Sequence, residues 1–85
     1  MPDLARYAVV LLNDDFTPME FVVSALERIF DMERNEATSL MLRIHHEGRG
    51  VCGTYPHEEA KEKAAEVLVF AGEHKHPLQC VVEPA

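Results

Sequence analysis

Residues Asn13 to Val23 read NDDFTPMEFVV, and they gather chemistry of two kinds. Asn13, Asp14 and Asp15 form a dense set of hydrogen-bond acceptors. Met19, Val22 and Val23 follow as apolar surface. Between the two groups, Thr17 has N-cap chemistry and Pro18 suits a first helical position. Glu20 stands where a capping-box glutamate belongs. Acceptors beside apolar side chains at a helix start can hold a cation attached to a greasy group. An Asp-Asp pair before a helix also serves as plain turn chemistry or dipole compensation.

Further along, His45 lies beside Met41 and Ile44. A lone histidine on an apolar helical stripe is commonly a hydrogen-bonded structural residue, so its role stays open at this level. No catalytic arrangement is evident: Asn13, Asp14 and His45 include no nucleophile, and Thr17 is expected to be engaged in capping. Five histidines raise the question of a metal. His74 and His76 give only an HxH spacing, HExxH is absent, and no metal or cofactor is expected.

The elements that must position these residues can be read from hydrophobic period. Tyr7 to Leu12, YAVVLL, predicts a buried strand ending at the Asn-Asp-Asp turn. A helix is predicted from about Pro18 to about Phe30, with Val22, Ala25, Leu26 and Ile29 on one face. Asp31 to Asn35 breaks the pattern. A second helix is predicted from about Glu36 to His46, with Ala37, Leu40, Met41 and Ile44 inward and Gly48 as its stop. Gly48, Arg49 and Gly50 read as a flexible turn, and Val51 to Tyr55 as a short strand.

Pro56 is expected to open a third helix running to about Gly72, with Ala60, Ala64, Val67, Leu68 and Ala71 lining one face. Its other positions are charged, several at i, i+4 spacing. Leu78 to Glu83 reads as the last strand. The order β-α-α-β-α-β implies an α+β two-layer sandwich, a three-stranded sheet covered by three helices. Residues 1–6 read as a short flexible arm and residues 7–85 as a single domain.

At 85 residues the chain makes one small domain, which buries only about 60–65% of its unfolded surface. Fifteen acidic against eight basic residues give a formal charge of −7, which argues against nucleic acid and against anionic membranes. No apolar run reaches transmembrane length. The opening MPDLAR has neither a basic n-region nor an h-region, so no signal peptide is expected and the expected location is cytoplasmic. Cys52 and Cys80 fall in predicted strands without a CxxC, and reduced, buried thiols are expected. A monomer is the default.

NDDFTPMEFVV, then LMLRIHHEGRGVCG, then HPLQC closely resembles ClpS, the bacterial adaptor that recognises N-degrons for the Clp protease. The resemblance runs from about Tyr7 to Glu83, with three separated motifs in order. It implies that Asn13, Asp14 and His45 converge on the α-amino group of a bound protein's first residue. It implies a side-chain pocket of Thr17, Met19, Val22, Met41, Ile44 and Leu78, with Met19 as a gate against β-branched side chains. It also implies that Glu58 and Lys63 contact the N-terminal domain of the ClpA unfoldase. The expected function is delivery of proteins beginning with Phe, Tyr, Trp or Leu to ClpA/ClpP, without catalysis by the adaptor.

Two features depart from the family pattern. The segment before the first strand is about six residues, where many members carry a longer arm, so the chain is either truncated there or a short second paralogue. Pro56 stands where relatives often have a helix-capping Thr. One rival reading shares the element order: the C-terminal domain of a ribosomal stalk protein, an interaction fold with no amine pocket. A small hydrolase using His45 is the other.

Overall fold

The computed structural model describes residues 5–85. The elements run β1 (Tyr7–Leu12), α1 (Met19–Phe30), α2 (Arg34–Glu47), β2 (Arg49–Tyr55), α3 (His57–Glu73) and β3 (Gln79–Pro84). The order is the predicted β-α-α-β-α-β, and the fold is α+β. Residues 1–4 of the expected arm lie outside the described residues. Arg6 donates from Nη2 to the Thr54 carbonyl at 2.6 Å, and its own carbonyl accepts the Ala85 N–H at 2.9 Å.

All three strands pair antiparallel in the spatial order β2-β1-β3, so the first strand is central. This explains its composition. Flanked by a strand on each side, β1 is buried on both of its faces, and it reads as a continuous apolar run. Val9 and Leu11 face the helices and join the core with Leu26, Ala37, Ile44, Val67 and Leu78. Ala8 and Val10 point the other way. Val10 is nonetheless 0% exposed. Arg49 pairs in register with Leu12, Glu83 with Ala8, and the two charged side chains form an ion pair across the central strand, over Val10.

Several boundaries differ from the sequence reading, each for a local reason. The expected turn at residues 48–50 is a turn only at Gly48, which ends α2 with φ 91° and donates its N–H to the Ile44 carbonyl at 2.8 Å. Arg49 and Gly50 already belong to β2. Gly50 is glycine because α2 lies against it: a Cβ there would sit 2.6 Å from Ile44 Cγ1. A bulge opposite Val9 and Val10 leaves Cys52 without a register partner and turns it to the helix side, where it is buried.

α3 buries Ala60, Ala64, Val67 and Ala71, but Leu68 is 43% exposed. The stripe Ala60, Ala64, Val67, Ala71 keeps to one helical face, and Leu68 falls beside it. Pro56 precedes the helix without a side-chain cap. Phe21 of α1 stacks on Phe70 of α3 at 4.6 Å and meets the His76 ring edge-on at 4.5 Å. This cluster fixes α1 against the segment that leads into Leu78 and β3. Among the described residues, no helix is long and apolar enough to cross a membrane.

Candidate functional site

The end of β1, the start of α1 and the last turn of α2 meet around a pocket of about 330 Å³. It is lined by Asn13 to Met19, Val22, Met41, Ile44 and His45. The left-handed turn at Gly48 brings these elements together. That turn aims the Gly48 carbonyl at β1, where it accepts the Asn13 N–H at 2.9 Å. The last turn of α2, carrying His45, is thereby tied to the end of β1, carrying Asn13.

The turn into α1 is built on Asp14. Its Oδ1 accepts the N–H groups of Phe16 at 2.8 Å and of Thr17 at 2.7 Å. The Thr17 hydroxyl donates to Oδ2 at 2.8 Å. Burial disfavours the ionised carboxyl, but the Thr17 and Phe16 N–H groups, the Thr17 hydroxyl and nearby His76 outweigh it and hold Asp14 below its ordinary value. Thr17 is therefore not the N-cap expected from sequence, because its hydroxyl proton is given upstream to Asp14. Pro18 takes the cap position at φ −64°, ψ 145°, with no side-chain cap bond. Its carbonyl accepts from Phe21 and Val22. Nor does Glu20 close a capping box; it pairs with Arg34 of α2 at 2.9 Å.

Asn13, Asp14 and His45, expected together, all line the pocket. Their availability differs. Asp14 already serves three donors. No hydrogen bond engages the side chains of Asn13, Asp15 or His45 among the described residues. Asp15 is the acceptor that the sequence reading left out of its site, and Phe16 on the same wall was passed over too. Two adjacent aspartates are alike by type, and only the turn geometry separates the one that shapes the loop from the one left open.

Of the six residues expected in a side-chain pocket, five line this cavity: Thr17, Met19, Val22, Met41 and Ile44. Met19 is 45% exposed at the mouth, while Val22, Met41 and Ile44 are buried. Leu78, 2% exposed, does not line this pocket. It borders a small adjoining cavity together with Leu12, Asn13, Asp14, Thr17, Val22 and Ile44. A site of this size, apolar on one wall and rich in open acceptors on the other, suits one hydrophobic side chain attached to a cationic nitrogen.

The two α3 positions are placed differently. Glu58 is exposed, with Lys61 3.6 Å away. Lys63 donates from Nζ to the Ile29 carbonyl at 2.8 Å, capping the last turn of α1. Among the described residues, no group of three or more His, Cys, Asp or Glu is arranged to hold a metal.

Comparison with known proteins points one way. The family model described as ATP-dependent Clp protease adaptor protein ClpS matches residues 3–81. The ATP-dependent Clp protease adapter protein ClpS of Nitrosospira multiformis is 54% identical over 77 residues, covering 91% of this chain and 76% of that protein. Its counterpart in Parvibaculum lavamentivorans is 56% identical over 77 residues, covering 91% and 70%. Agrobacterium tumefaciens ClpS2 bound to L-phenylalaninamide superposes with a TM-score of 0.93 at 34% identity, covering 95% of this chain and 98% of that one. These matches displace both the stalk-domain and the hydrolase readings, since the family is one of protease adaptors and not of enzymes. The chain belongs to the ClpS family of ATP-dependent Clp protease adaptor proteins.

Proposed function

We propose that the pocket binds the first residue of another polypeptide, holding its free α-amino group and its side chain together. The side chains it accepts are large and unbranched at Cβ: Phe, Tyr, Trp or Leu. The observation that carries this reading is the convergence on one cavity, lined also by Met19, Val22, Met41 and Ile44, of the side chains of Asn13, Asp15 and His45, which no hydrogen bond engages among the described residues. An α-amino group has a pKa near 8, so at neutral pH it is a cation with three donors. Three acceptors match it. Asp14, expected from the family to touch the amine directly, contributes mainly by holding the turn that presents Asn13 and Asp15.

The related ClpS2 structure contains L-phenylalaninamide. That compound joins a free α-amine to a benzyl side chain, which is the pair of features this pocket matches. Burying a Leu or Phe side chain contributes about 1.5–3 kcal/mol. A charge-assisted hydrogen bond adds about 1.5–3 kcal/mol.

The adaptor then delivers the captured protein to the ClpA/ClpP unfoldase-protease, with Glu58 and Lys63 on the contacting face. Because Lys63 already caps α1, Glu58 is the more available of the two.

The test is fluorescence anisotropy with Phe-initiated peptides bearing free or acetylated ends. Acetylation removes the charge and is expected to weaken binding about 10- to 100-fold. Equal affinity for the two peptides would overturn the reading.

A further inference from the structure

Phe16 is the most exposed large apolar side chain among the described residues, at 80%. A single exposed apolar residue needs no explanation by itself. This one lines the pocket and is held in place. Its N–H is bonded to Asp14, the next N–H is bonded to the same oxygen, and Pro18 follows two positions on. The ring is thus carried at the mouth on a braced turn, beside the carboxylate of Asp15, which no hydrogen bond or ion pair engages among the described residues.

We propose that Phe16 is the platform for the second residue of the bound chain, and that it favours arginine there. This rests on the reading of the pocket as a first-residue site. With the first side chain inside and the amine on Asn13, Asp15 and His45, the chain must leave across the mouth. In an extended segment, successive side chains point in opposite directions. The second side chain is therefore turned out of the cavity and toward its rim, where Phe16 stands. The rim offers an aromatic face next to a carboxylate. A guanidinium complements both: it is planar, weakly hydrated and stacks on aromatic rings, while a lysine ammonium is compact and strongly hydrated. Asp15 attracts either cation, so the ring is what separates Arg from Lys.

The experiment measures peptides beginning Phe-Arg, Phe-Lys and Phe-Gly by anisotropy, at one ionic strength, against the wild-type protein, Phe16→Ala and Phe16→Tyr. Wild type is expected to bind Phe-Arg about two- to fivefold more tightly than Phe-Lys. Phe16→Ala is expected to bring the two peptides level, and Phe16→Tyr to keep the preference. Absence of the Arg preference in wild type, its survival in Phe16→Ala, or an equal loss for both peptides would overturn the proposal. Acetylated versions of the same peptides keep the two readings apart. If acetylation leaves wild-type affinity unchanged, the first-residue reading itself falls and this one with it. If acetylation weakens binding but no Arg preference appears, only the role of Phe16 fails.

Discussion

Asp14 and Thr17 hold each other twice: the Thr17 N–H meets Oδ1 at 2.7 Å and the Thr17 hydroxyl meets Oδ2 at 2.8 Å. With the Phe16 N–H on the same Oδ1, one carboxylate orders the whole turn into α1. Asp15 next to it has no such duty. The two aspartates therefore divide into one that orders the turn and one whose carboxylate carries no hydrogen bond among the described residues.

This division is testable. Asp14→Ala is expected to cost about 1–2 kcal/mol of stability, the range of a lost cap, and to weaken peptide binding as a consequence. Asp15→Ala is expected to leave the urea midpoint nearly unchanged and still to lower peptide affinity. The pH dependence has a definite sign. Asp14 is held below its ordinary value in the folded chain, so it binds its proton more weakly there than in the unfolded chain. Its stabilisation is complete above about pH 4 and is lost as pH falls through the folded value. Urea midpoints of wild type and Asp14→Asn between pH 7 and 3 should converge on acidification. Equal slopes for the two proteins would contradict the assignment.

Much of this was legible in the chain. YAVVLL marks β1 to the residue, because a central strand buried on both faces is apolar at every position. Gly48 marks the end of α2 because the φ of 91° there suits glycine. The misreadings share one cause: competing partners that adjoin in space or lie a few residues upstream. Thr-Pro-Met-Glu has the pattern of a cap, but Asp14 upstream claims the hydroxyl and Arg34 of α2 claims the glutamate. Gly50 resembles turn chemistry until α2 is laid against it. The bond from Lys63 to the Ile29 carbonyl is likewise invisible until the end of α1 comes within its reach. Composition and period report what a residue is able to do locally, while these choices are made between elements.

Met19 stands half-exposed at the mouth, one residue after the cap position. A β-branched ligand side chain is stiff next to its own backbone and cannot fold away from a methionine at that point. Met19→Ala is expected to raise affinity for Ile- and Val-initiated peptides about tenfold, with little change for Phe. A titration in which Ile and Val peptides gain nothing would remove the gate.

Gly50 links the sheet to the pocket. Alanine there would place Cβ 2.6 Å from Ile44 Cγ1 and 3.1 Å from Leu40 Cδ1. Ile44 lines the pocket, so relief of the clash moves a pocket wall. Gly50→Ala is expected to cost about 1–3 kcal/mol and to weaken peptide binding together with stability. Gly48→Ala meets open space but a strained φ, and is expected to cost about 1 kcal/mol. Denaturant midpoints and peptide affinities measured on both variants check the contrast; a neutral Gly50→Ala would show that α2 does not bear on the sheet at this point.

Cys52 and Cys80 flank the central strand on its helix-facing side. Burial pushes the Cys52 thiol up to about 12, with Cys80 nearby adding to it, and burial pushes Cys80 to about 11. Both are therefore protonated in the folded protein at any physiological pH, and the thiolate is the reactive form. A disulfide-exchange reagent at pH 8 is expected to label neither in the native protein and both in urea. The linkage runs opposite to that of Asp14. Unfolded thiols ionise near 9 while folded ones do not, so the stability they confer is complete below pH 9 and is eroded as pH rises toward 11 and 12. Replacing both cysteines by alanine should flatten that alkaline decline while lowering stability at pH 7 through lost packing. Rapid labelling of native protein at a rate proportional to reagent, with no dependence on urea, would mean that the thiols are open to solvent and that the sheet is not sealed beneath the helices.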